Sequence, residues 1–162
     1  MAKGIQGLFY QALNVPMRAL LRSPLHGIAS SNLCILMYTG RKSGRRYETP
    51  LSYVRDGARV LLLTSRDTGW WTNFVPGANE ADGRGEPVEV LAAGEILRGR
   101  AQSIHHDRER LRMSVVHFLT ALPRDAMVYG VGLDGERRPK EADLSRALER
   151  LVMVEVTLEG PR

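Results

Sequence analysis

LCILMYTGRKSGRRYETPLSYVRDGARVLLLTS, residues 33–65, sets two apolar runs, a cationic turn and a hairpin signal in unbroken succession. Leu33 to Tyr38 is almost uniformly apolar, which over so short a length argues for a strand buried on both faces. Thr39-Gly40-Arg41-Lys42-Ser43-Gly44-Arg45-Arg46 follows directly, a glycine-bracketed turn with four positive charges in six residues. Tyr47 to Val54 is rich in strand formers, and Asp56-Gly57 is the dipeptide preferred where a tight hairpin needs positive φ. Arg59 to Thr64, with Val60-Leu61-Leu62-Leu63 inside it, reads as a further fully buried strand. Connections this short exclude parallel pairing, which needs crossovers of about a dozen residues or more, so an antiparallel sheet is expected.

Outward from this stretch, Ser65 to Gly69 is a polar loop and Trp70 to Phe74 a short helical turn ended by Pro76-Gly77. Ala78 to Glu86, with glycines, acids and no periodicity, reads as a surface loop. Val88–Leu91 and Glu95–Ala101 form a second hairpin around Ala92-Ala93-Gly94. Leu111, Val115, Phe118, Leu119 and Leu122 mark an amphipathic helix from about Asp107 to Leu122, closed by Pro123. A glycine-rich loop carries Gly130, Gly132 and Gly135. Pro139 then opens a helix with Leu144, Ala147, Leu148 and Leu151 at helical spacing, and Val152 to Leu158 is a final strand. The sum is an α+β, mainly β chain: a six-stranded antiparallel barrel over residues 33–158 with flanking helices.

At 162 residues the chain is most economically one domain, 1–162, with enough length for a core that needs no disulfide or structural metal. The single cysteine, Cys34, lies in an apolar run and reads as a small core side chain. One cysteine with no visible signal peptide points to a reducing cytoplasmic location. Residues 1–30 form an N-terminal helical segment. In it Ile5, Leu8, Phe9, Ala12, Leu13, Met17, Leu20 and Leu21 recur at helical spacing, and Lys3, Arg18 and Arg22 supply positive charge. Packing on its own domain or on a partner subunit is the favoured role. Peripheral contact with the inner face of the cell membrane is the alternative.

The net charge is +5, so the turn at 40–46 accounts for much of the excess. It is a local cationic site, not a broadly basic surface. Gly40 and Gly44 are not spaced as in a P-loop, and no Lys-Ser or Lys-Thr pair follows. The physics is related: glycines let amides turn toward a ligand, Ser43 adds a hydroxyl, and Arg41, Lys42, Arg45 and Arg46 offer charge-assisted bonds to phosphate or carboxylate oxygens. A nucleic-acid surface would spread its basic residues along a groove, so no nucleic-acid partner is expected. His26, His105, His106 and His117 make no metal set with Cys34, since His105 and His106 as helical neighbours point different ways. No serine lies in a nucleophile elbow. Of the adjacent Trp70 and Trp71, one packs in the core and the other is suited to cover a flat ligand. Asn73 offers an amide on the same turn, and Tyr129 borders a glycine-rich loop.

The run T-G-R-K-S-G-R-R-Y-E-T-P-L-S-Y-V, then D-G-x-x-V-L-L-L-T-S, then W-W-T-N, resembles the deazaflavin-dependent nitroreductase and quinone reductase family. These are split β-barrels that bind coenzyme F420 or a related flavin. The likeness is dense over Leu33 to Gly77, and Pro16 to His26 shares it. It implies that the basic turn and the following Thr-Pro grip the phosphate and acidic tail of the coenzyme, through Arg41, Lys42, Ser43, Gly44, Thr49 and Pro50. Arg45 and Arg46 complete the cationic turn. The resemblance also implicates Thr64, Ser65, Trp70 and Asn73. The chain departs from the family in the acidic, glycine-rich Asn79 to Glu86. It departs again in the longer Pro123 to Pro139, which lacks the tyrosines of the substrate pocket.

The resemblance implies an oxidoreductase that passes a hydride from reduced coenzyme F420 to a quinone, nitroaromatic or similar electron-poor small molecule. Tyr129 is the candidate catalytic residue, a substrate-side donor. FMN, whose lone phosphate suits the same turn, is the alternative cofactor. A non-catalytic flavin- or haem-binding module is the alternative of a different class. The family also allows a homodimer.

Overall fold

A computed structural model describes residues 32–77 and 83–160. The readings of the N-terminal segment, of His26 and of residues 78–82 lie outside the described residues. The elements in chain order are strands β1 (Leu33–Thr39), β2 (Arg46–Ser52), β3 (Val54–Asp56) and β4 (Arg59–Ser65), then two short 3₁₀ turns (Arg66–Thr68 and Trp70–Phe74). Strands β5 (Glu86–Ala92) and β6 (Glu95–Ile104) follow, then helices α1 (Arg108–Ala121), α2 (Pro123–Val128) and α3 (Glu141–Leu148), and finally β7 (Leu151–Leu158). The described chain is thus mainly β, with seven strands and three α-helices.

The strand count corrects the expectation of six. The run Tyr47 to Val54 is continuous in β-forming residues, yet it changes partner at Tyr53. Up to Ser52 it pairs antiparallel with β1, Leu33 facing Ser52, and from Val54 it pairs antiparallel with β4, Val54 facing Leu61. No glycine or proline marks the break, because what changes there is the pairing partner.

The chain divides into two compact units, 1–52 with 88–98 and 53–87 with 99–162. In the first, β1 lies between β2 and β5, antiparallel to both. Cys34, Ile35 and Leu36 are wholly buried, which is why β1 reads as an uninterrupted apolar run. On one face Ile35 and Met37 pack with Leu33 and Leu91. β2 pairs with β1 alone in this unit, and it tolerates Pro50 and stays half exposed as edge strands do.

In the second unit β7 lies between β4 and β6, antiparallel to both, and β3 flanks β4. Residues Leu151 to Val156 of β7 are all buried. One face of these strands carries Leu61, Leu63, Ile104, Leu151 and Met153. Leu111, Val115, Phe118 and Leu119 of α1 close over them, joined by Leu144, Ala147 and Leu148 of α3. The Asp107 carboxylate caps α1 by accepting the Arg110 amide at 3.0 Å. Pro123 ends α1, as its spacing suggests, but also opens α2 at a position where its missing N–H costs nothing. Pro139 lies in a bridge with Leu133, and α3 begins only at Glu141.

Both hairpins form, with turns that differ in kind. Asp56 faces Arg59, so the loop residues are Gly57 and Ala58, and only Gly57 takes positive φ (58°), a II′ pattern. The loop between β5 and β6 is Ala93-Gly94, with φ of 50° and 80°, a I′ pattern that strains the alanine.

Candidate functional site

The cationic turn joins β1 to β2 within the first unit. Its neck is closed by the Gly40 amide donating to the Arg45 carbonyl at 2.8 Å. Inside it the Gly44 amide donates back to the Gly40 carbonyl at 2.9 Å. Gly44 sits at φ 66°, the left-handed region that favours glycine. Gly40 is required for space: a Cβ there would lie 2.6 Å from Ser43 Oγ and 2.7 Å from the Tyr47 ring. The Arg45 amide donates to Ser43 Oγ at 3.2 Å, and Ser43 Oγ lies 3.1 Å from Tyr47 Oη. Tyr47 in turn stacks on the buried Tyr38 directly across the strand pair, with ring centres 5.5 Å apart and planes 22° apart.

Strand alternation sorts the residues that the sequence places in this site. Tyr47 and Thr49 share a face of β2 with each other and, through the register, with Tyr38 and Leu36 of β1. Arg46, Glu48 and Pro50 take the opposite face. There the Arg46 guanidinium donates to Glu89 at 2.8 Å and reaches the Met37 sulfur at 3.7 Å. Glu89 also accepts from Arg98 at 3.2 Å, and the bonds from Arg46 and then Arg98 hold its carboxyl below the usual carboxylate range. Burial pushes the Tyr38 phenol up against the smaller opposing effect of its bond to Thr49. Lys42 and Arg45 are exposed and make no ion pair among the described residues. The turn thus presents two uncommitted cations and two hydroxyls, Ser43 and Tyr47, at one end of the β1–β2 strand pair.

The other residues implicated by sequence lie in the second unit, at the end of β4 and in the two 3₁₀ turns. Thr64 is buried, with its hydroxyl 2.9 Å from that of Thr68. The Ser65 hydroxyl donates to Asp67. Trp70 is half-buried edge-on against Phe74, with ring centres 6.0 Å apart. The Asn73 amide donates to the Trp70 carbonyl at 2.8 Å. Trp71 is also half-buried: its indole N–H donates to the Arg66 carbonyl at 3.1 Å and its ring meets His105 at 5.0 Å. Neither indole is a fully buried core residue. The Tyr129 hydroxyl donates to the Leu63 carbonyl at 2.8 Å, and its ring packs against the core.

Sequence reasoning missed two participants. Tyr47 escaped as a strand former, although its position four residues after Ser43 and directly opposite Tyr38 follows from the register of the hairpin. Glu89 occupies Arg46, an interaction across strands that no local pattern signals. His105 and His106 lie between β6 and the α1 cap, outside any helix, with ring centres 3.9 Å apart. The expectation of divergent rings on a helix is corrected by that placement. Burial, then the charges of His106 and Arg66, lower the affinity of His105 for a proton.

No family model matches the sequence, and no curated protein is similar to it. Among solved structures it is similar to an FAD-binding protein from Mesorhizobium loti, at 17% identity over 85% of this chain and 91% of that one, TM-score 0.45. It is similar also to a reductase dependent on reduced coenzyme F420, at 18% identity over 80% and 95%, TM-score 0.45. A haem storage protein from Vibrio cholerae gives 10% identity over 91% of each chain, TM-score 0.47. Likeness at this level assigns neither a ligand nor a reaction. No described helix is long and apolar enough to cross a membrane.

Proposed function

We propose that this chain is a flavin-type oxidoreductase that uses coenzyme F420, with FMN as the competing cofactor, to reduce a quinone, a nitroaromatic or a similar electron-poor molecule. The observation that carries this reading is the turn at 40–45. Lys42 and Arg45 are uncommitted, Ser43 and Tyr47 present hydroxyls beside them, and Gly40 lacks the Cβ that would collide with Ser43 Oγ and the Tyr47 ring. That donor set fits a phosphate group, which takes charge-assisted bonds from cations and directional bonds from hydroxyls. The motif resemblance over Leu33 to Gly77 supplies the identity of the phosphate's bearer.

When bound, the reduced deazaflavin supplies a hydride, and the protein need provide no nucleophile. In this reading Lys42 and Arg45 hold the phosphate together with the Ser43–Tyr47 hydroxyl pair, and Thr49 stands on the same face of β2 as Tyr47. Arg41, Gly44, Arg46 and Pro50 complete the segment that the motif implicates, with Arg46 acting through Glu89 and not on the ligand. The cofactor role proposed for Thr64, Ser65, Trp70 and Asn73 rests on the resemblance; the donor role proposed for Tyr129 rests on its place beside the glycine-rich loop, and its hydroxyl donates to the Leu63 carbonyl at 2.8 Å. Asn73→Ala and Tyr129→Phe test them separately from the turn.

The absorption spectrum of the purified protein, followed by titration with coenzyme F420 and with FMN, tests the proposal. Binding of one or both at micromolar concentration, and oxidation of the reduced form by a soluble quinone, are expected. Failure of both to bind sinks the reading. Binding without turnover of any quinone or nitro compound turns it toward a flavin-carrying module.

A further inference from the structure

We infer that Tyr47 is the terminal hydrogen-bond donor to the phosphate oxygen held by the turn, with Ser43 acting behind it. The inference rests on the reading of residues 40–45 as a phosphate grip and ranks the two hydroxyls that stand beside its cations. Two hydroxyls in contact hold two protons between them, and one is consumed in their mutual bond. A phenol is the stronger hydrogen-bond donor of the two, so a phosphate oxygen, the strongest acceptor of the set, draws the Tyr47 proton, while Ser43 Oγ accepts the Arg45 amide at 3.2 Å. With the phenolic proton given to phosphate, the Ser43 hydroxyl, 3.1 Å from Tyr47 Oη, donates to that oxygen from behind and strengthens its O–H.

The ring that carries this proton is held in place. Tyr47 stacks on Tyr38, which is only 6% exposed, and is flanked by Gly40, whose missing Cβ would stand 2.7 Å from its ring. Tyr47 itself is 41% exposed, far more than a stacked strand residue needs to be. A preoriented neutral donor on the same turn as the exposed Lys42 and Arg45 loses little entropy on binding and gives direction to a contact that charge alone leaves loose. The ligand chemistry it recognises is a phosphate oxygen, common to the monoester of FMN and the diester of coenzyme F420.

The test is a cycle of Tyr47→Phe, Ser43→Ala and the double variant. Inorganic phosphate is titrated at constant ionic strength against chloride, and the amide signals of Gly40, Gly44 and Arg45 and the ring signals of Tyr47 are followed by NMR. Tyr47→Phe keeps the ring and its stack, and is expected to weaken phosphate binding about tenfold. Ser43→Ala should cost threefold at most, and the double variant no more than Tyr47→Phe. The reverse order, with Ser43→Ala the costly change, overturns the inference, as does undiminished binding in Tyr47→Phe. In the unmodified protein, Tyr47 ring signals that do not respond to phosphate beyond chloride overturn it without any variant. Repeating the cycle with FMN and with coenzyme F420 identifies the bearer of the phosphate. If the phosphate arm holds while neither flavin binds, Tyr47 remains the donor and the oxidoreductase reading falls.

Discussion

Four cations in one turn invite the expectation that all four contribute alike to binding, and the strand register says otherwise. Arg46 is the first residue of β2, faces away from Tyr47 and Thr49, and is bonded to Glu89 at 2.8 Å. Lys42 and Arg45 have no such partner among the described residues. A charge-assisted bond to an exposed phosphate oxygen is worth about tenfold in affinity. Lys42→Ala with Arg45→Ala should therefore weaken binding of coenzyme F420 or FMN about a hundredfold at low salt. The loss should shrink as salt rises, because the Debye length falls to about 8 Å at physiological ionic strength. Arg46→Ala should change affinity less than threefold. Its cost should appear in stability instead, and only at about 0.5 kcal/mol, since its side chain is 63% exposed and the pair is screened. Fluorescence titration at two ionic strengths, with a thermal melt of each variant, reads both quantities. An Arg46→Ala loss equal to that of the double variant would refute the division of the turn by strand face.

Three further outcomes follow from other parts of the fold. Ala93 is held at φ 50° in the first position of a I′ turn, so Ala93→Asn should raise stability by about 0.5–1 kcal/mol, seen as a higher urea midpoint at unchanged m. Glu155 is buried on β7 between Arg110 at 3.1 Å and Arg59 at 3.4 Å. Glu155→Ala leaves both guanidiniums without it and should cost about 2 kcal/mol by the same measurement, less than for a fully buried pair because both arginines are half exposed. His105 holds its proton more weakly in the folded chain than its ordinary value of 6.5. The unfolded chain then binds more protons, so stability should fall as pH drops from about 6.5 through the folded value. Replacement by Gln should flatten that slope, and an unchanged slope in His105→Gln would contradict the assignment.

The strands that could be read from sequence are those whose burial leaves no ambiguity. Leu33–Thr39, Arg59–Ser65 and Leu151–Leu158 are apolar on successive residues because both faces are covered, and periodicity then has only one short element to fit. What escaped was decided by partners distant in sequence. Tyr53 separates two strands because β1 claims one side of the run and β4 the other. Pro123 both stops one helix and starts the next, since a residue without an N–H suits a first turn as well as it breaks a last one.

The candidate site shows the same limit at finer scale. Composition located the turn, because four cations and two glycines in a connection between apolar runs are visible without any contact. Composition cannot rank them. The ranking comes from the period of two along β2, which sends Arg46 and Pro50 to one face and Tyr47 and Thr49 to the other, and from Glu89 on a strand more than forty residues away. Once the register Tyr38↔Tyr47 is fixed, the rest follows by counting. Ser43 lies four residues before Tyr47, the Gly40 position must stay bare to admit the ring, and the cations left to a ligand, Lys42 and Arg45, lie outside the strand. A one-residue slip of β2 would exchange the two faces, carrying Tyr47 away from Tyr38 and Ser43 and putting Arg46 in its place. The hairpin register, more than the number of positive charges, is therefore what makes this turn selective.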